Sequence, residues 1–298
     1  MTKISKVGFM GLGLMGGSFA ANLLKGGIAV TGFDPSPAAG DAIKALGGAV
    51  EATPHAAAKG AELVIVMVPN TPQIEEVLSG NDGLLSTPGD GRLLMVMSTI
   101  DPGAVSELAA RVGAGGWRYV DCPIGRTGDD ARNGTSMFML GGAEADKQDV
   151  APILDIIGTL TIDCGDVGHG MAIKIANNFL STAGAVLTAE ALRLAEHFGV
   201  SAETALSVIN ETIASNGHAK VHFPNKVLSG DVSPGFAVKH ARKDIDIANT
   251  VMKREGFPTF MAPGALAAYD AALASGHADN DWSDLYNVVA ELKEKGSS

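Results

Sequence analysis

An α/β domain on a parallel-rich sheet, a long helix and an all-helical C-terminal domain make up the architecture that this sequence predicts, on three observations. Over residues 1–166, short apolar runs alternate with helical periodicity, the pattern of βαβ units. From Met171 to His197 one helical pattern continues without a proline. Beyond it only helical patterns recur. The expected domains are therefore 1–166 and 167–298, the second including an interdomain helix over 171–197.

In chain order, the strand candidates are Lys6–Met10, Val30–Phe33, Leu63–Met67, Leu93–Met97, Arg118–Asp121, Ser136–Leu140 and Leu160–Asp163. The first five are short and apolar, and most are followed by Gly, Pro, Ser or Asp. Buried parallel strands with functional loops at their C-terminal ends have this character. Helices are expected at Ser18–Lys25, Ser201–Ile213, Ala237–Glu255, Pro263–Ser275 and Trp282–Lys295. Ser201 with Glu203 close behind, and Asp281 ahead of Trp282, provide helix starts. Lys295–Ser298 reads as a frayed end.

Composition narrows the function classes. The chain has 298 residues, 46% hydrophobic and 18% charged, which is a globular balance. Its formal net charge is −11 with no basic run, which argues against nucleic acid and acidic membrane surfaces as partners. Cys122 and Cys164 have no metal-like spacing and suggest a reducing compartment. The seven histidines form no HxH or HExxH group, so no metal is expected. The most membrane-like stretch, Met171–Leu194, is interrupted by Lys174, Asn177, Asn178 and Glu190, and a helix buried within the protein fits it better. No cleavable apolar segment precedes Val7, and a cytoplasmic protein is expected.

Gly11-Leu12-Gly13-Leu14-Met15-Gly16 follows the first strand and leads into a helix. Gly11 permits the tight turn, Gly13 lets backbone approach a pyrophosphate, and Gly16 lets helix and strand pack closely. The helix N-terminus then offers unpaired N–H groups to phosphates. Asp34 closes the second strand eighteen residues after Gly16. A carboxylate there accepts from both ribose hydroxyls of NAD and repels the 2′-phosphate of NADP, and no Arg follows at 35–38. An ordinary strand-turn-helix with a capping Asp is the competing reading, but the combination favours a Rossmann-like NAD (NADH) site. Val68-Pro69-Asn70 and Ser98-Thr99-Ile100 follow the third and fourth strands, where such a fold lines the nicotinamide. Taken singly, each fits ordinary loop chemistry better than a cofactor contact.

Lys174, Asn177, Asn178 and Ser181 fall within a stripe of about 100° when projected on a helix. An amine, two amides and a hydroxyl on an otherwise apolar helix must be paired, solvated or facing a ligand. One reading is the exposed polar face of a surface helix. The apolar remainder extends too far round the helix to favour it. Facing a ligand, the Lys can give a proton to a carbonyl oxygen as hydride arrives, and take it back in the reverse direction.

The Gly-x-Gly-x-Met-Gly loop, Ser98-Thr99, the Asp121-Cys122-Pro123 loop with Gly134-Thr135 beyond it, Lys174-x-x-Asn177-Asn178, Phe236 and Lys243-Asp244 together resemble the β-hydroxyacid dehydrogenase (3-hydroxyisobutyrate dehydrogenase-like) family over nearly the whole chain. The resemblance implies a Rossmann-like domain, an interdomain helix and a helical domain that builds homodimers or homotetramers. It implies Lys174 as catalytic residue, Asn178 on the substrate, Lys243 beside the cofactor and Thr99 at the nicotinamide.

The substrate loop departs from the common family pattern of Ser-Gly-Gly, because here Gly125-Arg126-Thr127 follows Ile124. This resembles the branch of the family that reduces 3-sulfolactaldehyde, a likeness extending to Asn225–Asp231 and Asp281-Trp282-Ser283. A sulfonate has three acceptor oxygens, and a guanidinium offers directed donors and a fixed charge. Asn177 and Ser181 could meet the remaining oxygens. A solvated loop arginine is the bland alternative for Arg126. Val96 is a second departure, standing where relatives usually have Asp. The expected reaction is NADH-dependent reduction of 3-sulfolactaldehyde to 2,3-dihydroxypropane-1-sulfonate. Alternatives are a carboxylate semialdehyde of the succinic or 3-hydroxyisobutyrate type, and a non-catalytic dinucleotide sensor.

Overall fold

The computed structural model describes residues 4–296, so the chain ends, including part of the stretch Lys295–Ser298 expected to fray, lie outside it. Two compact units form, Met1–Ile175 and Ala176–Ser298, and the division falls inside the long helix.

The first unit follows the order β1 (Lys6–Met10), α1 (Leu14–Lys25), β2 (Ala29–Phe33), α2 (Pro37–Ala45), β3 (Ala49–Val50), α3 (Pro54–Ala58), β4 (Leu63–Val66), α4 (Thr71–Ser79) and β5 (Leu93–Val96). It continues through α5 (Pro102–Ala114), β6 (Arg118–Asp121), β7 (Ile124–Gly125), α6 (Gly128–Asn133), β8 (Ser136–Gly142), α7 (Glu144–Ile157) and β9 (Gly158–Gly165) to the start of α8 (His169–His197). The sheet order is β3-β2-β1-β4-β5-β6-β8-β7, with β9 on β8. Pairing is parallel from β3 through β6 and between β8 and β9, and antiparallel where β8 meets β6 and β7. The order 3-2-1-4-5-6 is that of the dinucleotide-binding fold.

Side-chain alternation explains why the central strands are apolar throughout. Phe9, Leu63, Ile65, Leu93 and Met95 enter one core with Phe19 and Leu23 of α1 and Ile153 of α7. Met10, Val64, Val66, Leu94 and Val96 enter a second core with Ile74 of α4 and Val105 of α5. Helices cover both faces, so each strand residue has an apolar neighbour to bury against.

The second unit holds the rest of α8, then α9 (Ala202–Asn210), a π turn at His218–His222 leading into α10 (Phe223–Asn225), α11 (Val238–Arg254), α12 (Ala262–Ala274) and α13 (Leu285–Gly296). Its core joins Val186 and Leu192 of α8 to Phe223, Ile245, Tyr269 and Val288. Ser201 caps α9 by accepting from the Thr204 amide. Among the described residues, no helix is long and apolar enough to cross a membrane.

Several element boundaries differ from expectation. Helix α1 begins at Leu14 rather than Ser18, because the Gly13 carbonyl already accepts from Gly17. Helix α9 stops at Asn210 rather than Ile213, and Ile213 is exposed, with no burial to extend the turn. Trp282–Asp284 forms a 3₁₀ turn ahead of α13. The apolar face of α8 is less covered than expected, since Ile173, Leu180, Leu187 and Leu194 are half or more exposed.

One buried carboxylate fixes where α8 starts. Asp121, at the end of β6 and 0% exposed, accepts from the Gly168 amide at 2.6 Å and the Met171 amide at 2.8 Å. Burial raises its pKa above the ordinary carboxylate value, although those amides pull it down. A Cβ at Gly170 would stand 2.9 Å from its Oδ2 and 2.4 Å from the Met139 carbonyl, so only glycine fits there. Asp121→Asn keeps the shape but can accept on one side only, leaving one buried N–H without an acceptor. The expected cost is about 1–3 kcal/mol, read from urea denaturation midpoints, and an unchanged midpoint would contradict the clamp.

Candidate active site

The glycine loop lies between β1 and α1. Gly11 has φ +96°, and a Cβ there would meet the Met67 carbonyl oxygen at 2.2 Å. A Cβ at Gly16 would lie 2.0 Å from the Gly11 carbonyl oxygen, so α1 could not pack so closely. Gly13 differs, with nothing within 4 Å of its missing Cβ. Gly13 is also the N-cap of α1, no side chain caps that end, and the first turn has no acidic residue. Leu12 is buried while Leu14 is exposed beside this open cradle, and Met15 packs against the core. An uncapped helix N-terminus behind a glycine with free space in front suits a pyrophosphate.

Asp34 is half-buried at the end of β2. Its Oδ2 accepts from the Leu12 amide at 2.7 Å and its Oδ1 from the Ser36 amide at 2.8 Å. The carboxylate thus ties strand end to glycine loop, and each oxygen keeps acceptor capacity for a ribose hydroxyl. Pro35-Ser36-Pro37-Ala38 brings no cation to the same edge.

Further along the sheet, the Ser98 hydroxyl accepts from the Val68 amide at 2.8 Å, joining the ends of β4 and β5. Val96 is fully buried and lies in register with Val66 and Asp121. The strand end is therefore held by the Ser98 hydroxyl and by the Cys122 amide donating to the Val96 carbonyl at 2.9 Å, with no carboxylate at 96. Asn70 caps α4 by accepting from the Gln73 amide, which gives it a structural task. Pro69 is exposed and Thr99 half-buried.

The loop after Asp121 reaches Ile124–Gly125, two residues that pair with Phe138 and Met137. A Cβ at Gly125 would lie 2.5 Å from the Met137 Cε. Arg126 has φ +70°, an unusual conformation for a side chain with a Cβ. Its guanidinium donates to the Thr135 carbonyl and, at 2.9 Å, to the Thr159 hydroxyl. Thr127 starts α6 in a capping box, its hydroxyl donating to Asp130 at 2.6 Å. Lys174, half-buried on α8, donates from Nζ to the Ile124 carbonyl at 2.6 Å. The structure therefore brings Lys174 against the loop that carries Gly125, Arg126 and Thr127.

Within the second unit, Asn178 is 5% exposed and its Nδ2 donates to Asp244 Oδ2 at 2.5 Å. Lys243 Nζ lies 2.9 Å from Asp244 Oδ1. Asn177 is exposed and donates to Asn178 Oδ1 at 3.2 Å, and Ser181 bonds back to the Asn177 carbonyl at 3.1 Å. The four residues of the α8 stripe thus differ in burial, and Asn178 is the one enclosed by protein. His218 donates from Nε2 to the Ser181 carbonyl at 2.8 Å, and burial pushes its pKa down to about 4, so its ring is neutral near pH 7.

Two residues escaped the sequence reading as working parts. Asp121 appeared only as a motif letter, although a strand-end acid facing an uncapped helix start was a usable signal. Asp244 lies on the buried face of α11 with Ala241, Ile245 and Ala248, and a charge at that phase marks a buried task. Among the described residues, no three His, Cys, Asp or Glu side chains gather as a metal site requires.

Both halves of the chain are similar to known proteins. Residues 6–168 match the model of the NAD binding domain of 6-phosphogluconate dehydrogenase, and residues 168–289 match that of the NAD-binding domain of NADP-dependent 3-hydroxyisobutyrate dehydrogenase. The chain is 35% identical to 3-sulfolactaldehyde reductase of Escherichia coli, covering 96% of each chain. It is 31% identical to 2-(hydroxymethyl)glutarate dehydrogenase of Eubacterium barkeri, covering 98% of this chain and 97% of the relative. The solved 3-hydroxyisobutyrate dehydrogenase of Mycobacterium tuberculosis, with L-serine, superposes with a TM-score of 0.88 at 29% identity, covering 96% of this chain and 99% of that one. With both halves matched and the glycine cradle in place, the chain belongs to the NAD-dependent β-hydroxyacid dehydrogenase family.

Proposed function

We propose that this chain reduces a short aldehyde carrying an anionic group, 3-sulfolactaldehyde first among them, to the corresponding alcohol, here 2,3-dihydroxypropane-1-sulfonate. The nicotinamide cofactor, when bound, supplies the hydride. Lys174 gives the proton: its ammonium donates to the aldehyde oxygen as that oxygen gains charge, and in the oxidation direction the amine takes the proton back. The observation that carries this reading is the contact of Lys174 Nζ with the Ile124 carbonyl, two residues before Arg126. A proton donor and a guanidinium held on one short loop suit a small substrate with an aldehyde at one end and an anion at the other.

Arg126 donates to two neutral oxygens, and an anion exchanges one of these for a charge-assisted contact. A carboxylate semialdehyde is the second reading. A guanidinium also takes a carboxylate, and the Mycobacterium tuberculosis relative was solved with the carboxylate L-serine. The exposed Ile173, Leu180, Leu187 and Leu194, spaced by seven on α8, support self-association as a homodimer or homotetramer. NADH oxidation measured against 3-sulfolactaldehyde, succinic semialdehyde, methylmalonate semialdehyde and a neutral short aldehyde tests the assignment. The sulfonate is expected to give the highest kcat/KM. NADH binding without turnover of any aldehyde favours a sensor instead.

Lys174→Ala is expected to lower kcat by about a hundredfold or more while NADH still binds. Near-native kcat in that variant sinks the assignment of the proton donor.

Asp34 is expected to make NADH preferred over NADPH, and Asp34→Ser to narrow the ratio of their kcat/KM values. Equal use of both cofactors by the unaltered protein removes the role given to the carboxylate.

For Arg126→Ala, the loss toward the anionic aldehyde is expected to be about 2–4 kcal/mol, with little further loss toward a neutral one. Arg126→Gly accompanies it, because glycine adopts φ +70° without strain and separates backbone from side-chain effects. A sulfonate-to-neutral efficiency ratio unchanged in both variants makes Arg126 a bystander.

A further inference from the structure

We propose that Asp244 is a positioning residue that fixes the polarity of Asn178, so that Asn178 meets the substrate only as a hydrogen-bond donor. The inference rests on the reading of the chain as an aldehyde reductase and deepens it. Asp244 is 2% exposed on the apolar face of α11, where an aliphatic side chain would pack at less cost than a carboxylate. Its two oxygens divide their partners, with Oδ1 2.9 Å from the Lys243 ammonium and Oδ2 accepting from Asn178 Nδ2 at 2.5 Å.

A carboxylate paired with an ammonium offers only acceptors, so the amide of Asn178 must turn its nitrogen toward Asp244. The carbonyl end is held from the other side, since Asn178 Oδ1 accepts from Asn177 Nδ2 at 3.2 Å. One hydrogen of Nδ2 points to Asp244, and the second is the group with which Asn178 can address a ligand. Asn178 therefore recognises an acceptor, namely the aldehyde or hydroxyl oxygen or an oxygen of the anion. It rejects a donor at the same place.

A double-mutant cycle tests this on whichever aldehyde is turned over. Asp244→Asn can present its amide hydrogens to Asn178 and no longer dictates the orientation. Both it and Asn178→Ala should lower kcat/KM by roughly tenfold or more, and the double variant should match Asn178→Ala within about twofold, since Asp244 acts through Asn178. A merely structural Asp244 gives losses that multiply, and that result overturns the proposal. Asn178→Ser leaves Asp244 untouched and answers the question even if Asp244→Asn does not fold. A hydroxyl has one hydrogen, Asp244 claims it, and Ser should perform no better than Ala. Partial rescue by Ser overturns the proposal as well. Turnover by the unaltered protein separates the two levels: no reduction of any aldehyde removes the reductase reading, whereas multiplying losses in a protein that does reduce one remove only the role of Asp244.

Discussion

The buried carboxylate of Asp121 is the constraint on which the first unit's geometry at the start of α8 depends. It accepts two amides at the start of α8 and so determines which residue of that helix comes level with the loop following β6. One turn after Met171, Lys174 reaches the Ile124 carbonyl of the same loop. Loop and helix are joined at both ends of a short stretch, and an amine placed in this way has little freedom to wander. General acid catalysis needs such placement, because a proton donor displaced by an ångström loses much of its effect.

The glycine cradle and the Gly125–Thr127 loop use backbone conformation in different ways. At Gly11 and Gly16 the backbone comes so close to its neighbours that any Cβ would collide, while at Gly13 the space is open. The loop therefore achieves compactness behind the phosphate position and emptiness in front of it. Arg126 carries a left-handed backbone without being glycine, and non-glycine residues there are often found where function demands them. Its side chain reaches Thr135 and Thr159, so the guanidinium is braced by two further strand-end segments.

Much of this was legible in the sequence. The apolar runs at Lys6–Met10 and Arg118–Asp121 emerged with the expected bounds, because burial on both faces leaves little choice of residue. The glycine loop and the place of Asp34 were readable because close backbone approach restricts residue type and a carboxylate at a strand end is a distinct letter. β3 and β7 were not, being two residues each and too short to show a period. The sequence puts the start of α1 at Ser18, four residues late, because Leu14 and Met15 lie inside the glycine motif although they are already helical. The contacts of Asp121 and Asp244 span 47 and 66 residues of sequence, and no local pattern announces pairings of that length. The exposed leucines on α8 carry no signal of their exposure, because a helix apolar nearly all round reads as buried.

The central claim is that hydride reaches the aldehyde carbon of a small anionic substrate. The direct measurement uses NADH deuterated at both C4 positions with 3-sulfolactaldehyde, followed by mass spectrometry of the product. The account predicts one deuterium on the new carbinol carbon of 2,3-dihydroxypropane-1-sulfonate for each NADH consumed. A product without deuterium, or no reduction of 3-sulfolactaldehyde or of any other anionic aldehyde, would contradict it.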